Sequence, residues 1–346
     1  MNNHVLSEDT QAILLLCGPL GTPAATEIKA LNVREYNRVA DWLRASEMRP
    51  GDLLRPSVMI QLQEERPEGV EVSRVGALLD RGTALALATE GWTNQGMWVL
   101  SRADSSYPRQ MKERLKRSAP PILYGAGNVD LLSEGGLAVV GSRNAEPEAG
   151  EFTRRVGNVC ALQGIQVISG AARGIDAEAM GATLDAGGTV IGILPGSLAW
   201  AVLASGNRQA LLDERLVLTS PYRPEAGFTV GQAMGRNKTI YALADWALVV
   251  SASKGKGGTW TGAMENLKQR RVPLFVRDGD RIPAGNRHLL SLGGNALTES
   301  DLDEEIDLRQ HLTTLAGFPV QSDVEKNLPV QAALAFDQPV PPATDD

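Results

Sequence analysis

Three short apolar runs, each closed by small residues, constrain this chain more than any other feature. They read LAVVGSRN from Leu137, QVISGAARGID from Gln166 and GGTVIGILPG from Gly187. The segments Leu137–Val140, Ile165–Ile168 and Thr189–Leu194 are mainly aliphatic, many of the residues β-branched. A strand covered on both faces reads this way, because neither face meets water and polar alternation is lost. Stretches of helical length lie between them, at Glu148–Gln163 and Asp176–Ala186. The repeated unit of strand, glycine turn and helix predicts an α/β fold with a Rossmann-like, doubly wound parallel sheet.

The turns are where chemistry is expected. Gly141-Ser142-Arg143 closes the first strand, and Ser169-Gly170-Ala171-Ala172-Arg173-Gly174 closes the second. Glycine lets backbone approach a ligand, and the helix starts that follow present unpaired N–H groups and a positive dipole end. An arginine in each turn adds a forked donor suited to phosphate. Either turn alone is also explained as an ordinary tight connection, with Arg173 paired to Asp176 or another carboxylate. Two such turns on neighbouring strand ends point to an anion site.

Composition bounds the rest. The 346 residues suffice for one large domain and a smaller one, and no apolar run approaches membrane-spanning length. The start, MNNHVLSEDT, lacks the basic region of a signal peptide. Cys17 and Cys160 have no metal spacing and read as reduced core thiols of a cytoplasmic protein. His4, His288 and His311 are scattered, so neither a metal nor a cofactor is expected. The net charge of −7 argues against a general nucleic-acid coat, but its distribution is uneven. Arg236–Arg281 holds nine Lys/Arg against four Asp/Glu, and Arg102–Arg117 holds six against two.

In chain order, residues 1–100 read as a small helical domain. Ser7 is a candidate cap, VREYNRVADWLRASEM has helical spacing, and further helical segments are expected at Ser57–Glu65 and Gly69–Ala88. Trp42, Leu43 and Met48 are expected in its core. Residues 101–300 form the Rossmann-like domain, opening with a basic helix at Pro108–Arg117 and a short strand at Ile122–Tyr124. Later strands are expected at Leu216–Thr219, Trp246–Val250 and Pro273–Val276, with helices at Val230–Leu243 and Thr261–Arg270. Residues 301–346, acidic and then Pro-rich, read as a disordered tail.

Set in order, these motifs resemble those of the DNA-processing protein A (DprA/Smf) family. The family's SYPxxL and PPxLyxxGN runs match Ser106-Tyr107-Pro108 and Pro120–Asn128. Its VGSR, SGxAxGID, GGxTIxVLxxG and RNR motifs match Val140–Arg143, Ser169–Asp176, Gly187–Gly196 and Arg236-Asn237-Lys238. The resemblance covers about residues 95–295. Met180 stands where the family usually has His, and Ser251 where it has Glu, which marks a divergent member. The resemblance implies a homodimer that binds single-stranded DNA without catalysis and loads a RecA-type recombinase during natural transformation. Phosphates would then sit on the backbone of Gly141, Ser142, Ser169, Gly170, Ala171 and Gly174. Arg143, Arg173, Arg236 and Lys238 would supply charge, and Asn237, Gly258 and Thr259 would complete the site. Trp260 or Tyr241 is available to stack on a base, although such a residue is more often part of the core or of helix packing.

A second resemblance implies an enzyme instead. The core is similar to the LOG phosphoribohydrolases, whose GSR turn, R–K helix start and PGGxGTxxE loop correspond to Gly141–Arg143, Arg236/Lys238 and Gly257–Glu265. Splitting an N-glycosidic bond needs a carboxylate near the ribose, and Glu265 is the candidate. Paired along its own helix surface, Glu265 would have no such role. A nucleotide-sensing protein of a defence system would use the same pocket without chemistry.

Overall fold

A computed structural model describes residues 6–20 and 28–317. The N-terminal helices are α1 (Glu8–Cys17), α2 (Val33–Ala45), α3 (Pro56–Glu65), α4 (Val72–Leu79) and α5 (Gly82–Asn94). The Ser7 side chain accepts the Thr10 N–H and caps α1, while Asn32 and Glu35 form a reciprocal capping box on α2. The stretch expected as one helical segment at 69–88 is split into α4 and α5, because Asp80 ends the first and Arg81 starts the second.

There follow β1 (Met97–Ser101), α6 (Arg109–Leu115), β2 (Ile122–Ala126), β3 (Leu137–Gly141), α7 (Pro147–Leu162), β4 (Val167–Ser169), α8 (Ile175–Asp185) and β5 (Val190–Ile193). The chain continues through α9 (Leu198–Leu203), α10 (Ser205–Leu212), β6 (Leu216–Ser220), α11 (Val230–Leu243), β7 (Trp246–Ser251) and α12 (Gly258–Gln269). It then forms β8 (Leu274–Arg277), α13 (Ala284–Ser291), β9 (Asn295–Leu297) and α14 (Leu308–Leu315). Among the described residues nine strands make one sheet, ordered β1-β2-β6-β5-β4-β3-β7-β8-β9. All of β3 to β9 run parallel, whereas β2 is antiparallel to β6 and β1 to β2. The sheet is therefore the expected doubly wound α/β sheet, extended by an antiparallel edge that includes a strand, β1, absent from the sequence reading.

The central strands β3, β4 and β5 are buried on both faces, which accounts for the missing polar alternation. Leu137 and Val139 point into one core with α7, α8 and residues of α1 to α5; Ala138 and Val140 point into the other with α6, α11, α12 and α13. Trp42 and Leu43 are buried in the first core and Met48 packs against it. Residues expected in a tail from 301 are ordered further than that. Leu302, Leu308 and Leu312 are fully buried, and Gln163 holds the Leu308 N–H at 2.8 Å. Two leucines one helical turn apart suffice to dock α14, a signal that the Pro-rich residues beyond it masked. Residues 318–346 lie outside the described residues. Cys17 and Cys160 are free thiols, and Cys160 is fully buried.

Candidate nucleic-acid interface

The strand order reverses direction at β3, which has β4 on one side and β7 on the other. At such a switch the loops leaving the two strands diverge and open a crevice at the carboxyl edge. Gly141 ends β3, Gly170 follows β4, and Gly258 opens α12 after β7, so all three glycine turns meet at that edge.

The turns lock onto one another. Gly174 has φ +80°, a conformation that favours glycine, and any Cβ there would collide with the carbonyls of Ser142 and Arg143. The Ile175 N–H donates to the Ser142 carbonyl at 3.2 Å, which seats the start of α8 on the β3 turn. Thr259 Oγ1 donates to the Gly141 carbonyl at 2.9 Å, and Asn237 Nδ2 donates to the Gly258 carbonyl at 3.1 Å. Between these turns and α11 lies a cavity of about 520 Å³. Gly141, Ser142, Arg143, Asn237, Gly258 and Thr259 line it, with Phe228, Met234 and Ile240 as an apolar wall.

Arg236 enters the cavity from α11 and is only 4% exposed. One guanidinium nitrogen donates to the Gly170 carbonyl at 2.6 Å, while Nε and Nη1 have no hydrogen-bond partner among the described residues. A Cβ at Gly170 would overlap the guanidinium, so any larger residue there displaces the Arg236 side chain. Burial lowers the Arg236 pKa and the Asp176 charge opposes that shift; an arginine stays charged regardless. Asp176, also lining the cavity, is pushed up to about 6 by burial, against the pull of Arg236 and of the Ala172, Gly141 and Gly170 backbone groups. Arg143 is exposed at the rim, with its guanidinium 5.4 Å from the Phe228 ring centre. Lys256 adds a third cation to the lining.

Several sequence-predicted residues stand elsewhere. Ser169 is fully buried and its Oγ donates to the Val139 carbonyl at 2.7 Å, so it ties β4 to β3. Ala171 and Arg173 are exposed outside the cavity, with Ala171 at φ +51°. Lys238 Nζ donates to the Ser118 carbonyl at 2.8 Å, away from the cavity. Residues two apart on a helix lie on nearly opposite faces, so Arg236 and Lys238 cannot share a site. Glu265 pairs with Arg271 at 2.6 Å and does not line the cavity. Trp260 stacks on His288, with ring centres 5.6 Å apart, whereas Tyr241 is buried at the cavity wall and its hydroxyl has no hydrogen-bond partner among the described residues. Asp176, Ser251, Lys256 and Phe228 line the cavity but were not picked out as site residues. Of these Asp176 was legible, as an acid in the first turn of the helix that follows the second glycine turn. Phe228 carries no such signal, because it arrives by a long irregular connection.

Comparison with known proteins agrees with this architecture. The family model for DNA recombination-mediator protein A matches residues 98–305. Protein Smf of Synechocystis is 31% identical over 247 residues, covering 68% of this chain and 59% of that protein. The crystal structure of DNA processing protein A from Streptococcus pneumoniae superposes with a TM-score of 0.65 at 18% identity, covering 87% of this chain and 99% of the other. The structure of the Helicobacter pylori DNA processing protein A, described for its single-stranded DNA binding mode, gives 0.51 at 23% identity over 64% of this chain and 96% of the other.

Proposed function

The chain belongs to the DNA recombination-mediator protein A family, and from that premise we propose that it binds single-stranded DNA in the cavity beside β3 and β7. The observation that carries the reading is Arg236, a buried guanidinium with two nitrogens that lack a hydrogen-bond partner among the described residues, set at a cavity rimmed by Arg143 and Lys256. Donors withdrawn from water without an acceptor are costly, and a phosphate in the cavity offers an acceptor and a countercharge. The start of α12 opens on the same space, so its free N–H groups and dipole favour an anion there. The cavity chemistry thus supports binding of the H. pylori relative's class of ligand, whereas a role in DNA processing for recombination rests on family membership. The fuller role is a cytoplasmic homodimer that hands the strand to a RecA-type recombinase; this part rests on family membership. Hydrolysis is less well supported, because Glu265 is tied to Arg271 outside the cavity.

Fluorescence anisotropy with labelled oligodeoxynucleotides, over a range of salt, tests the reading. Affinity should fall steeply with salt and depend little on base sequence. Arg143→Ala should weaken binding and flatten the log–log salt slope by about 0.7, the share of one phosphate contact. Glu265→Gln should bind as wild type does. No binding by the wild type, or release of free base from nucleoside monophosphates that is lost in Glu265→Gln, would overturn the proposal.

A further inference from the structure

We propose that the bound strand runs across the carboxyl ends of β7, β3, β4 and β5, and that Trp200 is the platform on which one of its bases stacks. This inference rests on the single-stranded DNA reading above and assigns a path to it. The strands β7, β3, β4 and β5 are consecutive neighbours in the sheet. Their outgoing loops therefore stand side by side, about 4.8 Å apart from one strand to the next. In that order the loops present exposed Lys254 and Lys256, then Arg143, then Arg173, and then Trp200 on α9. A row of cations ending in an aromatic is the arrangement that tracks a single strand: charges follow the backbone and a ring takes a base. Arg173, which does not reach the cavity, finds its place on this row.

Trp200 is set outward by the packing of α9. Leu198 and Ala201 turn into the core at 0% and 6% exposure, which leaves the intervening indole 75% exposed. The other tryptophans differ: Trp42, Trp92, Trp98 and Trp246 are buried, and Trp260 lies against His288. The position of α9 is also fixed relative to the cavity mouth. The Ser197 N–H donates to the Ala226 carbonyl at 2.6 Å and the Ala199 N–H to the Pro224 carbonyl at 3.0 Å. That tethers α9 to the segment leading into Phe228, a ring 52% exposed that lines the cavity. The indole is thus carried on a helix tied by two backbone hydrogen bonds to the segment that leads into the cavity wall.

Because Trp200 is the most exposed indole among the described residues, its emission reports contact directly. Titration with oligodeoxythymidylate should quench the wild type, and the quench should shrink sharply in Trp200→Phe. Trp200→Ala should weaken oligonucleotide binding about tenfold while keeping the wild-type salt slope, since no phosphate contact is lost. Trp200→Phe should retain most of the affinity. An unaltered affinity in Trp200→Ala, with the wild type binding normally, overturns this inference alone. So does an unaltered affinity accompanied by a changed sedimentation coefficient, which would assign the indole to a protein contact. Failure of the wild type to bind any oligonucleotide removes the parent reading and this one with it.

Discussion

Replacing Asp176 with Asn should stabilise the protein at neutral pH, against the usual effect of altering a buried, hydrogen-bonded acid. Burial raises this carboxyl from 3.8 to about 6, more than the Arg236 charge and the backbone donors can hold down. The folded protein therefore binds the proton more tightly than the unfolded chain does. Stability from this group is fully present below about pH 4 and is lost as pH rises through about 6. A shift of roughly two pH units corresponds to about 3 kcal/mol, the penalty for keeping the carboxylate ionised at pH 8. Asn has nearly the same shape without the charge, but keeps one acceptor oxygen where Asp has two, so about 3 kcal/mol is the upper limit of the gain. Urea unfolding of both proteins from pH 4 to pH 8 measures it. The gap should open in favour of Asn between pH 4 and 7 and close at the acid end. A variant less stable than wild type at pH 8, or a gap that does not change with pH, would refute the reasoning. The same substitution removes the negative charge lining the cavity and should tighten oligonucleotide binding at pH 8.

Gly170→Ala forces a methyl into the Arg236 guanidinium and should cost about 1–3 kcal/mol of stability. Thermal unfolding reads that loss, and anisotropy should show weakened oligonucleotide binding in the folded fraction. The proposed homodimer should sediment as twice the chain mass at tens of micromolar, roughly far above an obligate dimer's dissociation constant; a monomer there would count against it. Of Leu289, Leu290 and Leu292 near the end of the sheet domain, Leu289 is buried in the core. The exposed Leu292, 46% accessible, is the member of that group available to a partner, and Leu292→Asp should lower the dimer mass if it lies in the interface.

The central βα units were legible because burial on both faces leaves a signature in composition: aliphatic runs that stop at glycine. Gly141 and Gly174 stand out for a related reason, since the Ile175 side chain presses on the first and the Ser142 and Arg143 backbone on the second. The short α14 was missed because its leucine spacing (Leu308, Leu312, Leu315) spans only two turns before the Pro-rich residues, and β1 because WVLS is too brief to separate from the helix before it. At the site, residues on one turn were legible together, as with Gly141, Ser142 and Arg143. Residues on a helix were not, because a triplet such as Arg236-Asn237-Lys238 spreads around the helix axis and only part of it can face one cavity. Ser169 misled for another reason: its hydroxyl satisfies the Val139 carbonyl inside the sheet, and no local pattern distinguishes that from a ligand contact. Phe228 and Trp200 owe their positions to connections between strands, which a linear reading does not place.

The claim on which all of this depends is that the cavity beside β3 and β7 receives the phosphate backbone of a single strand. A crystal structure of the protein with a short oligodeoxynucleotide tests it most directly. The account predicts a phosphate between Arg143 and the first N–H groups of α12, within hydrogen-bonding distance of a cavity donor. An oligonucleotide ordered elsewhere on the surface, with this cavity left to solvent, would contradict it.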